Sequence, residues 1–126
     1  MHKARDEQIK DMSHIVQLDP ETEHAARIFL ERIKSRFNVT GAILFGSRAR
    51  HTHRLDSDAD IAVLLSEPRE ERVDVVIDMA GIAFDVLLDT GVLVQALPLW
   101  EEELDHPELF SNPRLIENIR LEGVRL

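Results

Sequence analysis

Gly46, Ser47, Asp58 and Asp60 lie within one stretch, GAILFGSRARHTHRLDSDADIAVLL at positions 41–65, and their types and spacing suit a defined chemistry. Two carboxylates at i and i+2 on a strand point to one face. They can therefore hold the same divalent cations, and hard oxygen donors with room left for phosphate oxygens are what Mg²⁺ favours. A Gly-Ser step fits a phosphate, because glycine lets the backbone approach closely and serine adds a hydroxyl donor. A phosphate cradle beside paired carboxylates is the equipment of nucleotidyl transfer, with metals clamping the attacking and leaving oxygens. The loop between them, 48–57, carries Arg48, Arg50, His51, His53 and Arg54, a cationic patch in an acidic chain. Arg48 and Arg50 are candidates to meet a triphosphate or a leaving pyrophosphate. The alternative is a solvated loop that offsets the nearby Asp charges.

These residues need elements to place them. Residues 42–45 and 61–65 read as short buried strands on either side of the loop. Asp19-Pro20-Glu21 is a helix start, with Asp as N-cap and Pro in the first turn. The spacing of Ala25, Ile28, Phe29, Ile33 and Phe37 predicts a helix over 21–37 with one face on the sheet. A longer helix, 70–89, is apolar on most of its circumference, so it is expected to be buried on more than one side. Its four aspartates, Asp74, Asp78, Asp85 and Asp89, fall in one stripe read as a solvated face. Residues 92–97 predict a third strand stopped by Pro98. Residues 100–104 read as a helical turn or two, and Asn112-Pro113 caps a last helix to about residue 121. Near the start, Ile9, Met12, Ile15 and Val16 permit a short helix.

Gly46-Ser47, ten residues, then Asp58-Ala59-Asp60 resembles the GS-x10-DxD signature of the DNA polymerase β-like nucleotidyltransferase superfamily. The flanking GSRAR and DSDADIAVLL resemble its minimal nucleotidyltransferase (MNT) branch. The resemblance implies an α/β fold, a small mixed β-sheet packed with helices. It implies ATP as substrate, two Mg²⁺ on the catalytic residues Asp58 and Asp60, and Gly46 and Ser47 at the phosphates. It also implies a partner: MNT proteins often serve as antitoxins of HEPN-domain RNase toxins, and some transfer AMP to tyrosines of the toxin. A hetero-oligomer with that toxin follows. Two positions depart from the family pattern. His51 stands where the family commonly has glycine, which bears on the path of the loop. The strand 92–97, VLVQAL, lacks the third carboxylate that usually helps activate the attacking hydroxyl, and its polar residue is Gln95. An antitoxin that neutralises by docking alone, with a silent transferase site, is therefore the second reading. A small-molecule nucleotidyltransferase is the third.

The bulk properties narrow the classes. At 126 residues one domain is expected. With 24 acidic and 15 basic residues the net charge is −9, a poor match for tight binding to a nucleic acid polymer. The chain has no cysteine, which is compatible with a reducing cytoplasm. The first residues contain no apolar signal region and no apolar run approaches spanning length, so neither export nor membrane insertion is expected. Asp56, Asp58, Asp60 and Glu67 also stand at the first, third, fifth and twelfth places of an EF-hand loop, but Ile61 fills the place that needs glycine.

Overall fold

The computed structural model describes residues 18–66 and 68–126. The possible helix around Ile9 and Ile15 lies outside the described residues.

Helix α1 (Pro20–Lys34) starts where the sequence marks it. The Asp19 carboxylate accepts from the Thr22 N–H at 3.1 Å and from the Thr22 hydroxyl at 2.7 Å. It ends short of position 37, where Ser35 turns back onto the Arg32 carbonyl, yet Phe37 still packs on the core. Strand β1 (Val39–Phe45) begins earlier than expected and runs through Gly41, with its register slipping between Val39 and Gly41. A short helix α2 (Ser47–Arg50) occupies the start of the expected loop. Strand β2 (Ala59–Leu65) is followed by α3 (Arg72–Thr90) and β3 (Val94–Trp100). Helix α4 (Glu101–Asp105), a 3-10 turn at Pro107–Leu109, α5 (Pro113–Glu122) and a two-residue β4 (Val124–Arg125) complete the chain.

The sheet is mixed, in the order β3-β2-β1-β4. β1 runs antiparallel to β2 and β4, while β2 and β3 are parallel and joined by α3 as their crossover. Pro98 does not stop β3. It sits inside the strand opposite Val63, which is tolerable because β3 is an edge strand and a missing N–H can face outward.

Alternation along the strands divides the apolar residues between two faces. Leu44, Ile61, Val63 and Val94 pack with Phe29 and Ile33 of α1 and with Val75, Met79 and Val86 of α3. Ile43, Ala62, Leu64 and Leu99 pack with Ile116 and Ile119 of α5. Ile61 lies in the β2 ladder, fully buried, so the acidic run before it is not a calcium loop.

Helix α3 meets both the sheet and α1, as its apolar girth predicts. Its four aspartates are exposed, as a solvated face requires, and two of them also form surface ion pairs: Asp89 with Arg32 at 2.6 Å and Asp78 with Arg36 at 3.5 Å. Part of its apolar girth is also open, since Val73, Ile77, Phe84 and Leu88 are exposed. At the Trp100 end of the sheet, Glu103 is only 2% exposed. It accepts from Arg69, Arg72 and the Trp100 N–H, and both guanidinium groups lie over the indole ring. No helix among the described residues is long and apolar enough to cross a membrane.

Candidate functional site

The turn after β1 and the first residues of β2 meet at one end of the sheet. Register fixes the relation: Asp60 lies opposite Phe45 in β1 and beside Gln95 in β3. Paired residues in neighbouring strands share a face. Asp60 and Gln95 therefore lie on the face that α5 covers farther along, where Ala62, Leu64 and Leu99 are buried.

Gly46 follows Phe45 and adopts φ 79°, ψ −158°, a region held almost only by glycine. A Cβ at this position would overlap Oδ2 of Asp60 and stand 3.3 Å from its Cγ. The sequence assigns this glycine to phosphate approach. The structure adds a nearer reason, which is that the Asp60 carboxylate fills the space a side chain would need. Ser47 is the first residue of α2 and half-buried. Its carbonyl accepts from Thr52 N–H at 2.9 Å, and its hydroxyl makes no hydrogen bond among the described residues.

Asp58 and Asp60 are both half-buried. Burial pushes the Asp60 carboxyl above its ordinary pKa, the neighbouring Asp58 charge adds to the rise, and Arg50 works against it. Two like charges and one cation are thus close enough to feel one another. A half-buried pair of hard oxygen donors in mutual repulsion is a donor set that a divalent cation fits. Among the described residues no third His, Cys, Asp or Glu joins the pair as a ligand cluster. The neighbour on β3 is Gln95, which is exposed.

Four of the five cationic residues of the loop separate. Arg50 stays at the mouth, exposed, and its Nη1 lies 3.2 Å from Glu122 at the end of α5. Arg48 goes the other way. It is 0% exposed, and its guanidinium donates to the Ser57 and Leu55 carbonyls and to the Thr22 hydroxyl. With each nitrogen engaged and no surface exposed, this guanidinium is out of reach of a ligand arriving from solvent. His53 faces Asp19 at 3.3 Å. His51 caps α2 in the left-handed region, φ 60°, ψ 34°. The loop therefore takes the path that a glycine favours, with histidine in glycine's place.

Sequence reasoning missed Thr22 and Asp19, which anchor the far side of Arg48. The Asp-Pro-Glu helix start was visible, but nothing in it announces a partner 26 positions later. Burial works against the Asp19 carboxylate, yet hydrogen bonds from Thr22 and the charges of His53 and Arg48 outweigh it and hold its pKa below the ordinary value.

Comparison with known proteins bears on what the site does. Residues 26–125 match the family model described as a nucleotidyltransferase domain. No curated protein sequence matches the chain. Among solved structures, a crystal structure of a protein from Sulfolobus solfataricus, provisionally named a nucleotidyltransferase, is 27% identical. That match has a TM-score of 0.46 and covers 68% of this chain and 78% of the other.

Proposed function

We infer the activity from one premise, that the chain belongs to the nucleotidyltransferase domain family: it transfers a nucleoside monophosphate, AMP from ATP, to a hydroxyl on a partner protein. The observation that carries this is the Asp60 carboxylate seated against Gly46 beside the Asp58 charge. That contact joins the two halves of the signature in one place.

Asp58 and Asp60 would hold the divalent cations, two Mg²⁺ in our reading. A cation bound there supplies stabilisation of the charge that develops on the transferred phosphoryl group. Ser47 offers its hydroxyl to the β- and γ-phosphates, and Gly46 brings the backbone up to them while the space of its missing side chain holds the Asp60 carboxylate. Arg50 offers a cation at the mouth, within reach of the departing pyrophosphate. The bond formed joins the acceptor oxygen to the α-phosphorus, and the bond broken joins that phosphorus to the bridging oxygen of pyrophosphate. The acceptor's proton passes to solvent, because Gln95, beside Asp60, cannot accept it. By the MNT resemblance the acceptor is a tyrosine of a HEPN-type toxin, and the chain is its antitoxin. A phenol is acidic enough to need less help than an alkyl alcohol.

A second reading has its own support. Gln95 at the position beside Asp60, together with the exposed Val73, Ile77, Phe84 and Leu88 of α3, favours an antitoxin that works by docking. One experiment separates the two. The chain is incubated with a HEPN-type partner, ATP and Mg²⁺, and the partner is weighed by mass spectrometry. The transferase reading expects the added mass of AMP, and expects the Asp58→Asn/Asp60→Asn variant to lose both that addition and neutralisation. A double variant that neutralises as well as wild type, with an unmodified partner, sinks it in favour of docking.

A further inference from the structure

Strand β2 begins at Ala59, so the ladder that fixes Asp60 stops one residue short of Asp58. The backbone on the two sides of Asp58 is held by different means. After it, the Ala59 N–H donates to the Leu93 carbonyl at 2.8 Å. Before it, residues 54–57 form a turn closed by Ser57 N–H to the Arg54 carbonyl, 3.1 Å, and by Arg54 N–H to the Ser57 hydroxyl, 2.9 Å. Such a turn holds its own shape but has no fixed place relative to the sheet. Arg48 supplies that place. Its Nε donates to the Ser57 carbonyl at 3.0 Å and its Nη2 to the Leu55 carbonyl at 3.2 Å.

The other end of the guanidinium is moored. Nη1 donates to the Thr22 hydroxyl at 2.7 Å, and Thr22 in turn donates to Asp19 at 2.7 Å. Both belong to the start of α1, whose Ala25, Phe29 and Ile33 are fully buried in the core. The planar fork thus connects a rigid helix to the residue next to Asp58. A lysine ammonium carries its three donors on one nitrogen at the end of a flexible stem, so it cannot match the spread of a planar fork that reaches three separate acceptors.

We propose that Arg48 is a positioning residue: its buried guanidinium, anchored on Thr22, sets Asp58 beside Asp60 and so shapes the cation-holding pair. This rests on the metal reading of Asp58 and Asp60 given above. It replaces the contact with triphosphate that the sequence suggests for Arg48.

The test uses Arg48→Met, which keeps most of the volume, and Arg48→Lys, which keeps the charge. Hydrogen exchange of the ligand-free protein comes first. Both variants are expected to exchange about tenfold faster over residues 52–58 while α3 keeps its protection. Mn²⁺ binding, followed by its electron paramagnetic resonance with a non-hydrolysable ATP analogue present, comes second. The Mn²⁺ midpoint is expected to rise about tenfold, as losing a group that orients a ligand does. Affinity for the analogue at saturating Mn²⁺ should hold. Wild-type exchange over 52–58 in Arg48→Met overturns the proposal. So does a wild-type Mn²⁺ midpoint in Arg48→Lys, or a loss of analogue affinity at an unchanged midpoint, which would make Arg48 a phosphate ligand after all. If wild type itself binds no Mn²⁺, the metal reading fails, and exchange alone decides the clamp. Should Arg48→Met not fold, Thr22→Val removes only the mooring and is expected to shift both measurements the same way.

Discussion

Replacing Gly46 by alanine sets a methyl group against the Asp60 carboxylate. Two costs follow from the geometry. A non-glycine residue at φ 79°, ψ −158° carries strain of about 1–3 kcal/mol. The new Cβ would also overlap Oδ2 and crowd Cγ at 3.3 Å, so Asp60 must leave its rotamer at about 0.5–1.5 kcal/mol. Together these come to roughly 1.5–4.5 kcal/mol. For a chain of this size each kcal/mol moves Tm by about 3–4 °C, so the midpoint should fall by roughly 5–18 °C. Thermal unfolding followed by circular dichroism reads the total. A double-mutant cycle with Asp60→Ala isolates the second cost, because that change deletes Oδ2 and Cγ and leaves only the Asp60 Cβ at 3.5 Å. The coupling energy should then be about 0.5–1.5 kcal/mol, the share assigned to the displaced rotamer. Additivity within about 0.3 kcal/mol would mean that residue 46 does not feel Asp60, and the reason given for the glycine would be refuted.

Three further outcomes are expected. His51→Gly should stabilise the protein by about 0.5–1 kcal/mol in urea unfolding, because the left-handed backbone it occupies strains histidine and not glycine; no gain would mean that the histidine ring contributes packing of its own. Asp60→Asn should raise the Tm of the metal-free protein at pH 7. The folded pKa of Asp60 lies above its unfolded value, so its contribution is full below the unfolded pKa and is lost as pH rises through the folded one. The variant should flatten that slope, and an unchanged slope would show that neither burial nor the Asp58 charge raises this carboxyl in the folded protein. Glu103→Ala leaves Arg69, Arg72 and the Trp100 N–H without their shared acceptor and should cost about 3 kcal/mol in the same unfolding assay; a loss under about 1 kcal/mol would place those groups in solvent.

The grouping of Gly46, Asp58 and Asp60 was legible because its signal is local. Gly46, Ser47, Asp58 and Asp60 declare themselves by type and spacing, and strand alternation then places Asp60. Arg48 was not legible in the same way. An arginine in a polar loop reads as a phosphate contact or as solvated, and only the folded chain reveals that Thr22, Leu55 and Ser57 surround it. The extent of β3 was misread for a related reason. A proline reads as the end of a strand, and whether a strand lies at an edge that can tolerate one is a property of the sheet and not of the strand. The aspartates of α3 carry a helical period that any solvated face would show, so their pairing with Arg32 and Arg36 depends on how two helices cross. The two residues of β4 are too few to carry a period at all.

The open edge of β3 has a consequence for how these molecules treat one another. Side-by-side strands recruit further strands through unpaired backbone groups, the route to aggregation and to sheets shared between molecules. Leu93 directs its carbonyl at β2, so Val94, Ala96, Pro98 and Trp100 are the residues whose backbone faces outward. Pro98 brings no N–H, and its carbonyl already accepts from Arg72. The Trp100 N–H is held by Glu103. Among the described residues, an incoming strand would find a foothold on this edge only at Val94 and Ala96, too short for a stable ladder. The proline that sequence patterning takes for a terminator acts instead as a guard, leaving the strand long and its border closed to strangers.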